Sequence, residues 1–173
     1  AREWERGTLE ALFVTPVRSI EILISKIAPY FGVGMIGLAL CLLASRFLFD
    51  VPIRGSLLLI LFVSMLYLFV ALGMGLLISA AVKNQFLAAQ IALVASFLPA
   101  LMLSGFIFDV RSLPVAVRAV SAILPATYYV EALQTLFLAG NVWPLLLKDC
   151  AVMAVAAVVL LNLARLKTRK ELQ

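Results

Sequence analysis

The chain has 173 residues, carries a net charge of +5 and is 65% hydrophobic, with a mean hydropathy of +1.14. Charged residues make up only 13% of it, whereas soluble domains are usually about a quarter charged. A soluble core of this size could not bury so much apolar side chain, so a soluble enzyme is excluded. The basic residues flank long apolar runs, which indicates membrane topology and argues against a nucleic-acid partner. We therefore predict an all-α, polytopic membrane helix bundle with four transmembrane helices.

The residue types that usually carry catalysis are missing or scattered. The sequence contains no histidine, and its two cysteines, Cys41 and Cys150, lie inside apolar runs. It has no glycine-rich phosphate loop with its lysine, no Ser/His/Asp set and no evident pair of intramembrane carboxylates. We predict no catalytic, cofactor-binding or metal-binding residue, so energy for any active transport must come from another subunit.

The chain opens on an amphipathic segment. Residues 2–14 alternate charged side chains with Trp4, Leu9, Leu12 and Phe13 at helical spacing, which predicts a helix on the membrane surface or under a partner protein. Thr15 and Pro16 then end this helix and begin the next one. The chain starts without methionine or signal peptide, and we expect it to be part of a longer protein.

Four apolar runs are long enough to cross a bilayer. They cover residues 17–49, 55–82, 86–108 and 143–164. The first two contain glycines that we expect to allow close helix packing. These are Gly32, Gly34 and Gly37 in the first run and Gly73 and Gly75 in the second.

The third run is the one that polar residues interrupt. Pro99 should kink its helix because proline removes one backbone hydrogen bond. Polar groups within a span tend to face a bundle or a cavity, so this helix is a candidate lining for a translocation path; packing is the alternative. The candidate path residues are Gln90, Phe97, Pro99, Leu101 and Ser104.

Residues 111–140 are punctuated by Pro114 and Pro125 and are too polar for a full span. We predict two short helices, near 114–124 and 126–138, that dip into the outer leaflet, with Gly140 ending the second. Aromatic residues around this turn form either an interfacial belt or an outer gate. The gate candidates are Phe106, Phe108, Tyr128, Tyr129 and Glu131, with Arg118 as the expected partner of Glu131.

The basic residues predict the orientation. If the N-terminal end is cytoplasmic, the inner segments hold nine lysines and arginines and the outer segments hold five. This excess predicts that both ends of the segment face the cytoplasm.

Two motifs resemble the ABC-2 type transporter permeases. The first is EWERGTLEALFVTP at 3–16 followed by EILISK at 21–26, which is similar to that family's acidic helix and Thr-Pro step. The second is LSGFIF at 103–108 followed by LPATYY at 124–129, which resembles the family's outer re-entrant region. By this resemblance, residues 1–173 form the C-terminal part of a permease: the coupling helix, spans three to six and the re-entrant hairpin.

The resemblance implies a permease subunit of an ABC exporter in the bacterial inner membrane, and cargo in this family ranges from drugs and lipids to polysaccharides. The apolar character of the candidate path residues favours small hydrophobic or amphiphilic compounds, either drug-like or lipid-like. The resemblance also implies three kinds of partner. The first is an ATP-binding cassette subunit that binds the ATP and magnesium, the second is another permease subunit in a homodimer or heterodimer, and the third is the lipid membrane. A periplasmic adaptor is a further candidate. The residues expected to couple to the ATPase are Glu3, Trp4, Glu5, Gly7, Thr8, Glu10, Phe13, Thr15 and Pro16.

Two alternatives to the exporter remain open at this point. One is a membrane scaffold or assembly protein that docks a cytoplasmic partner through helix 2–14 and transports nothing. The other is half of a secondary transporter, which the lack of an evident carboxylate pair or inverted repeat disfavours.

Overall fold

The computed structural model describes residues 19–82, 84–104 and 114–170. The predicted coupling helix at 2–14 and the gate candidates Phe106 and Phe108 therefore lie outside the described residues. In the part of the chain that is described, the secondary structure is entirely helical, and four helices are long and apolar enough to cross a membrane. The predicted all-α bundle with four spans is confirmed.

The long helices are separated by short connections and one pair of shorter helices. The first two spans are α1 (Ser19–Phe47) and α2 (Leu57–Ala81). The third span comprises α3 (Gln85–Ala92), a π-helical turn (Leu93–Phe97) and α4 (Leu98–Leu103). A hairpin of α5 (Val115–Ser121) and α6 (Pro125–Gln134) follows, and α6 continues into a second π turn (Thr135–Ala139). The last span is α7 (Trp143–Lys170).

The core lies where α2, α6 and α7 meet. Ile60 and Val63 of α2, Leu136 of the second π turn and Met153 of α7 are fully buried there. The large aliphatic side chains supply the apolar packing of this core, while Ala132 of α6 keeps the hairpin close to the two long helices. The hairpin is thus part of the packed core and not an appendage.

Two of the five glycines predicted to allow close packing do so in this chain. A Cβ atom at Gly34 would lie 2.7 Å from Leu68 Cδ1, which brings α1 close to α2. A Cβ atom at Gly73 would lie 3.1 Å from Leu160 Cβ, which brings α2 close to α7. At the other three, a Cβ atom would have no neighbour within 4 Å among the described residues; they are Gly32, Gly37 and Gly75.

The third span is irregular at the point where the sequence predicts a kink. Its π turn ends at Phe97, and Pro99 follows in the first turn of α4. Proline has no N–H to donate to the carbonyl of residue 95, and a π turn is one way in which a helix absorbs such a break. At its other end the span begins with a cap, because the Asn84 side chain accepts a 3.0 Å hydrogen bond from the Leu87 N–H.

Candidate functional site

The hairpin is attached to the end of the third span by hydroxyl groups. The Leu103 carbonyl, at the end of α4, accepts hydrogen bonds from Ser121 Oγ and from Thr127 Oγ1. The Thr127 hydroxyl has a single hydrogen, which it shares between the Leu103 carbonyl at 3.3 Å and the Ser121 carbonyl at 2.8 Å. Because the last carbonyls of a helix have no partner within it, these hydroxyls satisfy a group that would otherwise be buried unpaired. We call Leu103, Ser121 and Thr127 the hairpin anchor.

The other end of the hairpin is held by the connection between α1 and α2. The Gly55 N–H donates to the Leu136 carbonyl at 2.7 Å, and the Arg54 guanidinium donates to the Leu138 carbonyl at 3.1 Å. The Ser56 N–H donates to Asn141 Oδ1 at 2.9 Å. A cation at a helix C-terminus also interacts favourably with the helix dipole. These residues form what we call the loop clamp.

Tyr129, a predicted gate residue, packs against α2. Its ring stacks on Tyr67 with centroids 4.2 Å apart and planes 2° from parallel. Its hydroxyl lies 3.1 Å from the Ser64 hydroxyl, so the polar end of the side chain is satisfied inside the core. Tyr129 therefore fixes the hairpin to α2 in this conformation.

Tyr128, the neighbouring gate candidate, points to a different environment. Its hydroxyl donates to the Ala122 carbonyl at 2.7 Å, which closes the turn between α5 and α6. The Lys148 ammonium lies over its ring, 5.5 Å from the centroid. Consecutive residues on a helix face different directions, so Tyr128 and Tyr129 do not form one aromatic cluster.

Glu131 lies 3.8 Å from Lys148, measured from Oε2 to Nζ. The prediction of Arg118 as its partner is wrong, because the structure shows an ion pair between Glu131 and Lys148. α6 packs along α7, whereas Arg118 is exposed on α5. Lys148 also lies 3.9 Å from Oδ1 of Asp149. The structure therefore brings together two carboxylates, Glu131 and Asp149, that the sequence did not pair.

Asp149 is the most unusual residue of this group. Its side chain is fully buried, and neither carboxylate oxygen has a hydrogen-bond partner among the described residues. Burying a carboxylate without hydrogen bonds is costly, so the nearby ammonium is its main compensation. The signal for this site in the sequence is weak, namely a Lys-Asp pair one turn inside an apolar helix.

The candidate path residues lie along a span that is mostly uncovered. Gln90 is exposed, Phe97 is 58% exposed and Leu101 is half-buried. Ser104 is buried, and its hydroxyl donates to the Ala100 carbonyl of its own helix. Pro99 belongs to the first turn of α4. Their assignment to a path stays a prediction, as does the assignment of gate residues.

The fold and this arrangement define a multi-pass helical membrane protein with a polar hairpin docked between its spans. The chain matches the ABC-2 family transporter proteins over residues 1–166, and it belongs to that family. The predicted family is thereby confirmed, as is the prediction that the chain is a transporter component and not an enzyme. No solved structure matches the chain.

Several curated proteins are similar to this chain. It is 51% identical over 172 residues to the probable multidrug ABC transporter permease YbhS of Escherichia coli (strain K12), covering 99% of this chain and 46% of the relative. It is 30% identical over 154 residues to the probable multidrug ABC transporter permease YbhR of the same organism, covering 84% of this chain and 42% of the relative. The chain thus spans about half the length of these curated relatives.

A further relative comes from a eukaryote. The ABC transporter G family member 20 of Dictyostelium discoideum is 31% identical over 134 residues, which cover 78% of this chain and 18% of the relative. The match therefore includes a protein much longer than the bacterial permeases.

Proposed function

We propose that the full-length protein is the permease subunit of an ABC exporter in the bacterial inner membrane. Its cargo would be small hydrophobic or amphiphilic compounds, and a separate ATP-binding subunit would drive it. Family membership and the names of two relatives, both probable multidrug ABC transporter permeases, support this proposal. Both ends of the described segment would face the cytoplasm.

The observation that carries the proposal concerns the third span, which is mostly uncovered along its length but is attached to the core at its end. Of the side chains that are described in that span, only Ala88 is buried. Yet the end of the span is bonded to a hairpin packed in the core, through the hairpin anchor. A helix with one open face and one fixed end is suited to line a path that a second permease subunit completes.

The cargo class follows from the side chains on this face. Phe86, Leu93 and Phe97 are all more than half exposed, and Gln90 is the polar exception among them. Ligand sites are lined mainly by apolar and aromatic groups with few polar ones. An apolar lining of this kind favours hydrophobic or amphiphilic compounds over sugars or ions.

Transport in inside-out vesicles is the direct test. The full-length permease would be coexpressed with the ATP-binding subunit of its own operon, and ATP-dependent accumulation of a fluorescent amphiphile would be measured. The control is the same complex with the Walker lysine of the ATPase replaced. Accumulation that does not require ATP hydrolysis would favour the secondary-transporter alternative. No accumulation, together with purification of the permease without any ATPase, would favour the scaffold alternative.

Coupling through residues 2–14 is tested separately. Lipid-binding surface helices are rich in lysine and arginine, whereas this segment carries Glu3, Glu5 and Glu10. We expect Glu5→Lys and Glu10→Lys to lower cargo-stimulated ATPase activity of the complex while the permease still folds and inserts. Unchanged stimulation in both variants would contradict a coupling role for this helix.

The orientation is tested by labelling. A single cysteine at Ser112, in a background without Cys41 and Cys150, should react with a membrane-impermeant reagent from the periplasmic side. Reaction only from the cytoplasmic side would reverse the topology.

A further inference from the structure

The Lys148 ammonium lies among groups that could equally bind an organic cation. Glu131 Oε2 lies 3.8 Å from it, Asp149 Oδ1 lies 3.9 Å from it, and the centroid of the Tyr128 ring lies 5.5 Å from it. Carboxylates and the face of an aromatic ring are the groups by which proteins recognise alkylammonium ligands. The lysine is therefore standing where the charged end of a cationic ligand could bind.

Lys148 holds this position weakly. Both of its contacts with carboxylates exceed the usual length of a charge-assisted hydrogen bond. Its side chain is 55% exposed, so solvent screens these attractions and the long side chain loses little on leaving. A ligand with its own ammonium group can compete for the same place.

The carboxylate of Asp149 can accept hydrogen bonds that the described part of the chain does not donate. Its side chain is completely buried, and both oxygens lack a hydrogen-bond partner among the described residues. Glu131, Asp149 and Lys148 together carry a formal charge of −1 when all are ionised. A ligand ammonium that displaces Lys148 would meet both carboxylates, and its charge would compensate the buried Asp149 in place of the lysine.

We propose that Tyr128, Glu131 and Asp149 form a binding site for the ammonium group of a cationic amphiphile, and that the Lys148 ammonium is its resident competitor. The proposal rests on the proposed export function only in treating this ligand as cargo. It narrows the cargo from amphiphilic compounds in general to those with a positively charged nitrogen. Lys148 would then return to the site when the cargo leaves.

The site is tested by equilibrium binding to the full-length permease in lipid nanodiscs, without nucleotide. The probes are benzyldimethyloctylammonium and an uncharged amphiphile with the same benzyl and octyl groups. Lys148→Gln removes the competitor, and we expect it to tighten binding of the ammonium probe about fivefold. That factor corresponds to about 1 kcal/mol, the order expected for an exposed ion pair together with a cation–π contact.

Matched variants separate a local site from a general change in charge. Arg118→Gln also removes one positive charge from an exposed position of the same hairpin, and it should leave the Kd of the ammonium probe within about twofold. Adding Glu131→Gln to Lys148→Gln should reverse the fivefold gain. The uncharged probe should bind equally to every variant. Each of these side chains is at least partly exposed, so the fold should tolerate the substitutions.

Three results would overturn the proposal. They are a Kd for the ammonium probe that Lys148→Gln does not change, an equal gain for the uncharged probe, and an equal gain in Arg118→Gln. In these cases the lysine and its carboxylates are only a structural ion pair between α6 and α7. The binding measurement needs neither ATP nor the ATPase subunit, so it can support this site even if the transport assay fails. Conversely, ATP-driven export of the uncharged probe would support the export function even if this site does not bind the ammonium probe.

Discussion

The last span and the third span are both long apolar helices, but they differ in how much of their surface the rest of the chain covers. α7 packs along α2 and the hairpin, and Leu146, Met153 and Ala157 of α7 are buried in the core. The third span packs on α2 at its start and on the hairpin at its end, and along its length it is almost uncovered. Composition alone does not distinguish the two, since both have a similar hydropathy.

The difference teaches that this chain contains a packed unit, formed by α2, the hairpin and α7, and helices with little cover. The third span is one of these helices, and α1 is another, because no residue of its apolar window is buried. The following predictions are ordered by expected size, and each uses a matched pair of positions. The measured quantity is the apparent free energy of unfolding of the full-length permease in mixed micelles.

The largest effect is expected from truncating the core of the packed unit. Met153→Ala removes a fully buried side chain, and we expect it to cost about 2–5 kcal/mol because a cavity replaces lost contacts. Phe97→Ala, at a position 58% exposed on the third span, should cost less than about 0.5 kcal/mol. Equal costs at the two positions would show that the third span is as tightly covered as α7, and the comparison would fail.

The loop clamp should respond to a single methyl group. A Cβ atom at residue 55 would lie 2.7 Å from the Leu136 carbonyl oxygen and 2.9 Å from Leu136 Cδ2. Gly55→Ala should therefore cost about 1–3 kcal/mol through overpacking. Gly75→Ala, where no atom lies within 4 Å, should be neutral or slightly stabilising. If Gly55→Ala unfolds like the parent protein, the clamp does not contribute to stability.

The hairpin anchor should show a smaller loss. Ser121 is fully buried and its hydroxyl donates to the Leu103 carbonyl, so Ser121→Ala should cost about 1–2 kcal/mol. Ser96 is exposed and donates only within its own helix, so Ser96→Ala should change stability by less than about 0.5 kcal/mol. Comparable values for the two serines would mean that the third span is not held by the hairpin.

The smallest effect is expected at the tyrosine stack. Tyr129→Phe keeps the ring on Tyr67 and removes only the hydrogen bond to Ser64, which should cost about 0.5–1 kcal/mol. Tyr30→Phe, at a position 66% exposed on α1, should have no measurable effect. A cost of several kcal/mol at Tyr129 would show that its hydroxyl supports more than this one bond.

The sequence predicts the helical skeleton well because its signals are local. Apolar runs reveal the four spans, Asn84 precedes the cap that it forms, and Gly140 ends its helix with φ of +94°, as a C-terminal glycine should. Pro99 predicts a disturbance in the third span, and the π turn before it is that disturbance. The second π turn, at 135–139, had no comparable signal, since no proline interrupts it.

The contacts between distant segments could not be predicted in the same way. Arg118 is the candidate partner that the sequence offers for Glu131, whereas the partner in the structure, Lys148, lies on the next helix. Asp149 lies near the start of a span, where a charged side chain is ordinarily exposed to water. It is buried because α6 packs against α7, and that packing is visible only in the structure. Likewise, nothing in the sequence joins Gly55 to Leu136, although their backbones share a hydrogen bond.

The loop clamp has a mechanical consequence. The hairpin's far end is joined to the α1–α2 connection by several hydrogen bonds, including those of Gly55, Arg54 and Ser56. In the part of the chain that the structure describes, the hydrogen bonds from its near end to the third span converge on one carbonyl, that of Leu103. Because Tyr129 and Leu136 hold α6 in the core, a displacement of the third span should be transmitted to α5 and to the turn between α5 and α6, while α6 stays in place.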